Sequence, residues 1–198
     1  GNLAMEVFLT GPADEVHSGT FGGGLRNPLV AAAWIISQVQ NPVTGRFTFP
    51  HMLDGLLPVT ASQRQLMDEF PVDPTEFLHN AQASACWVQD GVPLDEAISH
   101  RPTFEVNGII GGYTGSGSKT IIPPGASFKV TCRLGPGQDP RRIGDALEAY
   151  ILEVAAPLKG IHCKVERSHG GRAFVLDVDN PAVPLPRQAL EEAFSAPC

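Results

Sequence analysis

No two cysteines of this 198-residue chain stand at C-x-x-C spacing: Cys86, Cys132, Cys163 and Cys198 are far apart. That excludes a zinc knuckle and the disulfide framework of a small secreted domain, and leaves free thiols in a reducing cytoplasm as the expectation. Basic charge is scarce as well. With 14 Lys and Arg against 21 Asp and Glu, the net charge of -7 argues against nucleic acid as a partner. No apolar run approaches the roughly 18 residues of a membrane span, and no signal-peptide pattern stands at the start, so no membrane partner is expected. The six histidines, His17, His51, His79, His100, His162 and His169, form no i, i+4 pair and no H-x-D. The chain is therefore not expected to carry its own metal site. There is no G-x-S-x-G elbow for a self-contained serine hydrolase. In Gly115-Ser116-Gly117-Ser118-Lys119-Thr120 a serine separates glycine from lysine, which departs from a phosphate loop.

What the chain does have is enough apolar content, 42%, to build a core without staples. Leu3, Met5, Val7 and Leu9 alternate with more polar neighbours, predicting a first strand over 3–10. Asn27 and Pro28 then form a cap and first turn for a helix to about Gln40. That helix is apolar nearly all round, so covering from more than one side is expected. Residues 41–100, broken by six prolines, read as an insertion with short helices over 61–70 and 74–83. Strands are predicted over 103–106, 127–134, 161–167 and 173–178, with a glycine-rich loop over 108–120 and a turn at Ser168-His169-Gly170-Gly171. Asp139-Pro140 opens a second helix, whose stripe Ile143, Ala146, Leu147, Tyr150, Ile151, Val154 runs to Ala156. The fold class expected is α+β, a two-layer ferredoxin-like βαββαβ sandwich with one antiparallel sheet and both helices on one face.

The candidate site residues sit on or beside glycine-lined loops: His17, Asn107, Thr120 and Arg133. His17 is followed at once by Ser18-Gly19-Thr20-Phe21-Gly22-Gly23-Gly24, and a histidine titrates near neutrality while glycines let backbone approach a ligand. Arg133 has two readings on sequence alone: a bidentate carboxylate ligand, or a solvent-face arginine beside Lys129.

Five ordered motifs resemble one domain of the di-zinc exopeptidase family, which includes carnosinase, aminoacylase and succinyl-diaminopimelate desuccinylase. They are Val16-His17-Ser18-Gly19-Thr20-Phe21-Gly22-Gly23; Asn27-Pro28; Arg101-Pro102-Thr103 with Asn107-Gly108-Ile109; Gly117-Ser118-Lys119-Thr120-Ile121-Ile122-Pro123; and Arg133-Leu134 with Gln138-Asp139-Pro140. The length of 41–100 is most similar to the carnosinase-type branch. The resemblance implies a lid or dimerisation domain over 1–180, with 181–198 returning to a catalytic domain absent from the chain; both ends look internal to something longer. It implies that His17 acts in trans, donating to the substrate carbonyl in the partner subunit's site. Thr120 and Arg133 would contact a peptide or N-acyl amino acid, Arg133 through its terminal carboxylate, with Asn107 lining the cleft. It further implies a homodimer, and in the parent enzyme two zinc ions whose bound hydroxide attacks the carbonyl with a glutamate as base. The fragment itself, lacking the metal ligands, is expected to be inactive. Two other readings remain: a stand-alone ferredoxin-like interaction or small-ligand-binding module, and a catalytically dead homologue kept as a scaffold.

Overall fold

The computed structural model describes residues 1–168 and 170–195. Strands β1 (Asn2–Thr10), β3 (Thr103–Gly111), β5 (Gly125–Arg133) and β6 (His162–Arg167) form one antiparallel sheet in the order β3-β5-β1-β6. Helices α2 (Pro28–Val39) and α6 (Pro140–Ala155) pack against one face of it. This is the expected βαββαβ sandwich. Its period-two logic is visible in the core, where Leu3, Met5, Val7 and Leu9 meet Ala126, Phe128, Val130 and Cys132 beneath Ala31, Ile35, Ile143, Leu147 and Ile151. Both anticipated helix caps are made: Asn27 Oδ1 accepts from Leu29 N at 2.9 Å, and Asp139 Oδ1 from Arg141 N at 2.8 Å.

The other elements are short. A two-stranded ribbon, β2 (Val16–His17) with β4 (Ile121–Ile122), lies at the Thr10–Gly125 end of the sheet, where Gly11 N donates to Pro124 O at 2.7 Å. Helix α1 (Ser18–Phe21) follows β2 directly. The insertion holds α3 (Ala61–Glu69), α4 (Pro74–Ala81) and α5 (Leu94–Ser99), and α7 (Pro184–Phe194) comes last among the described residues.

Two expectations change. The segment 173–178 is not a strand: the chain leaves the sheet edge after a single bridge, Asn2↔Gly171, so its alternation has no ladder to join. The predicted turn includes His169, which lies outside the described residues. The stretch 108–111 is not loop but the second half of β3, whose pattern is hidden by a bulge between Val106 and Gly108. The insertion contributes to the main core, where Phe49 and Met52 are fully buried. Helix α2 buries Ala31, Ala32, Ile35 and Val39 yet leaves Val30 64% and Trp34 48% exposed, so its outward side is bare in the single chain.

Candidate functional site

His17 and Thr120, 103 residues apart, are brought together by the β2–β4 ribbon. Ser18 N donates to Thr120 O at 2.9 Å, which locks the two loops in register. The imidazole folds back over its own chain, where Gly19 N donates to His17 Nδ1 at 3.0 Å. A Cβ on Gly19 would lie 2.7 Å from His17 Cε1, so the glycine makes room for the ring. Because Nδ1 is an acceptor, the proton of neutral His17 is on Nε2, and that N–H points at Thr120 Oγ1, 3.2 Å away. The pair is exposed, and Lys119 and Glu15 tie the flanking loops by an ion pair. The chemistry this arrangement offers is a neutral, oriented N–H donor on a solvent-facing loop.

Arg133 is elsewhere. It closes β5 at the end opposite Gly125, and nine residues of strand separate the two ends by about 27 Å. It pairs in register with Asn2 of β1 and Thr103 of β3 and forms no ion pair with a carboxylate among the described residues. Of its two readings, the structure adds to the first a cleft: Arg133 lines a cavity of about 580 Å³ with Thr103, Arg101 and Gln63. Asn107 sits at the β3 bulge, exposed midway along the edge, near neither His17 and Thr120 nor Arg133.

The reading of the residues in isolation missed the group that shapes the Arg133 end. Glu96, only 7% exposed, is bonded by Arg64 through one oxygen and by Arg101 Nε through the other at 2.7 Å. Burial pushes its carboxyl upward, but hydrogen bonds and charges from Arg101 and Arg64 outweigh that and hold it below the usual range. The capping box Thr60–Gln63 fixes the start of α3 beside it. Short helices in a proline-rich stretch give no periodic signal by which to foresee this clamp. The buried His100 ring bonds Leu57 O at 2.7 Å through Nε2 within the insertion, and Gln138 Nε2 donates to Met52 O at 2.7 Å, which ties the insertion to the loop before α6.

Burial pushes the Cys132 thiol to about 12 and that of Cys163 to about 11, so neither is a thiolate near neutrality. Among the described residues, no group of three or more His, Cys, Asp or Glu side chains is placed to hold a metal ion, and no helix is long and apolar enough to cross a membrane.

Residues 3–159 match the family described as peptidase dimerisation domain. The Cys-Gly metallodipeptidase DUG1 of Candida albicans is 26% identical over 194 residues, covering 96% of this chain and 39% of that protein. The Beta-Ala-His dipeptidase of Rattus norvegicus is 24% identical over 154 residues, 78% of this chain and 31% of that protein. Among solved structures, the M20 family metallo-carboxypeptidase Sso-CP2 from Sulfolobus solfataricus superposes with a TM-score of 0.87 at 25% identity, over 100% of this chain and 50% of that one. Human carnosine dipeptidase 1 has the same fold, with a TM-score of 0.82 at 20% identity over 100% of this chain and 42% of its own. The chain thus spans less than half the length of the curated relatives it matches.

Proposed function

The chain belongs to the peptidase dimerisation domain family, and from that premise we propose that it is the lid and dimerisation domain of a zinc-dependent dipeptidase or amidohydrolase working in a reducing cytoplasm. Among the described residues no side-chain group fits a metal centre, so in this reading the two zinc ions belong to a catalytic segment outside this chain, and the roles assigned here are those of its own side chains. His17 donates its Nε2–H to the substrate carbonyl oxygen as negative charge develops, and Thr120 holds the ring until substrate arrives. Arg133 takes the terminal carboxylate of a peptide or N-acyl amino acid by a bidentate pair.

One observation carries this reading: the two ends of β5 are about 27 Å apart, whereas a dipeptide spans only about 7 Å. One chain cannot apply both His17 and Arg133 to one substrate. Two copies related by a two-fold axis can, each site taking His17 and Thr120 from one subunit and Arg133 from the other. The surface for such pairing is bare: edge strand β3 exposes Val106 by 37%, Ile109 by 54% and Ile110 by 60%, and Leu29 of α2 packs against its Gly111 end. The opposite edge, β6, presents His162, Lys164, Glu166 and Arg167, which blunt it.

The test is complementation in the full-length protein. His17→Ala and Arg133→Gln homodimers are each expected to be nearly inert. Mixed at equal amounts and allowed to exchange, they should recover about a quarter of wild-type turnover, because half of the dimers are mixed and each of these has one intact site. No recovery, with subunit exchange verified by mass, would overturn the shared site.

A further inference from the structure

The cleft that holds Arg133 contains a second guanidinium, which the reading above leaves unused. Arg133 and Thr103 are cross-strand partners and share the sheet face turned away from α2 and α6, while their neighbours Cys132 and Phe104 are buried on the helix side. Arg101 lies two residues before Thr103 and lines the same cavity, with Gln63 and Met67 of α3 forming the far wall. No Asp or Glu lines it.

The charges do not balance. Glu96 stands behind Arg101, yet its two oxygens are divided between Arg64 and Arg101, so the three groups together keep one positive charge. Arg101 spends only Nε on Glu96; its Nη groups have no carboxylate partner among the described residues. Arg133 has none either. If Arg101 served only to hold Glu96, Arg64 would already supply the neutralising charge. Instead the clamp holds Arg101 through Nε and leaves its Nη groups without a carboxylate, in a residue that lines the same cavity as a second guanidinium, that of Arg133. One substrate carboxylate satisfies one of these cations. Two carboxylates satisfy both.

We propose that this cleft selects substrates whose C-terminal residue carries a second carboxylate, an aspartate or glutamate, with the α-carboxylate on Arg133 and the side-chain carboxylate on the Nη edge of Arg101. The assignment rests on the carboxylate role given to Arg133 above. Arg101 is then a specificity-determining residue, supplied by the insertion at 41–100 through its Glu96 clamp and not by the shared sandwich.

The experiment compares kcat/KM of the full-length protein for two dipeptides that differ only in a C-terminal Glu or Gln. Wild type is expected to favour the Glu peptide by about tenfold or more, the worth of one charge-assisted pair. Arg101→Gln should bring that ratio close to one, and Arg101→Lys, which keeps the charge but not the fork, should fall between. Because both peptides are read on one preparation, partial unfolding lowers both rates and does not move the ratio. A wild-type ratio near one, or an unchanged ratio in Arg101→Gln, would sink the proposal. Arg133→Gln separates it from its premise: equal loss on both peptides supports the carboxylate role of Arg133, while wild-type rates in that variant remove the premise and the proposal together.

Discussion

At the Thr10–Gly125 end of the sheet, His17 and Thr120 are exposed side chains aimed by backbone: a glycine N–H sets the tautomer and a two-residue ribbon sets the spacing. At the Arg133 end the aim comes from side chains far away in sequence, with buried Glu96 gripping Arg64 and Arg101 behind a wall of inserted helix. The first end asks little of the core and presents a neutral donor. The second is a charged cleft whose geometry fails if one buried carboxylate is lost. The contrast is between an exposed imidazole aimed by local backbone and a guanidinium-lined cleft ordered by a buried carboxylate, a full strand length apart; under the proposed function the first meets developing charge and the second fixed charge.

The largest expected effect falls on the donor end. His17→Ala in the full-length protein should lower kcat by about 100- to 1000-fold with metal content unchanged, the cost of removing one oriented donor to a developing oxyanion. Steady-state kinetics with metal analysis checks this, and near-normal kcat would erase the distinction between the two ends. Next comes the clamp. Glu96→Gln leaves two guanidinium groups without their buried partner and should cost about 1–3 kcal/mol of stability at neutral pH. Since the folded state holds the Glu96 carboxyl below its ordinary range, the unfolded chain takes up this proton first as pH falls. The stabilisation is thus present at neutral pH and is lost through the carboxylate range. Melting curves of wild type and Glu96→Gln should converge toward pH 3; parallel curves would show that Glu96 is no clamp. The smallest effect sharpens the local end. Thr120→Val removes the acceptor for His17 Nε2–H but leaves the Gly19 bond, so turnover should fall only about threefold to tenfold. The ¹⁵N shifts of His17 should still report the Nε2–H tautomer; a change of tautomer would assign the aiming to Thr120 instead of Gly19.

Much of this architecture could be read directly because burial imposes a period. The alternation of 3–9 and 127–134 and the stripes on α2 and α6 follow from one buried face each, and Asn27 and Asp139 announced their helices by cap chemistry. Where no period exists the reading failed. A two-residue ribbon has no alternation to show, which hid β2 and β4. The bulge at Asn107 shifts the register of β3, so Ile109 and Ile110 looked like loop among glycines. In 173–178 alternation was present without a partner strand. The candidate residues were legible one by one, but their grouping was not. His17 belongs with Thr120, Arg133 with Arg101, and Asn107 stands between them.

Composition and pattern by themselves determined the sandwich, its helix starts, and the want of a metal-ligand motif, since each depends on neighbours within a few residues or on burial of one face. Tertiary structure alone decided which polar groups meet, because pairing across 103 residues, or through a carboxylate buried in an insertion, depends on strand register and close packing that no local spacing encodes.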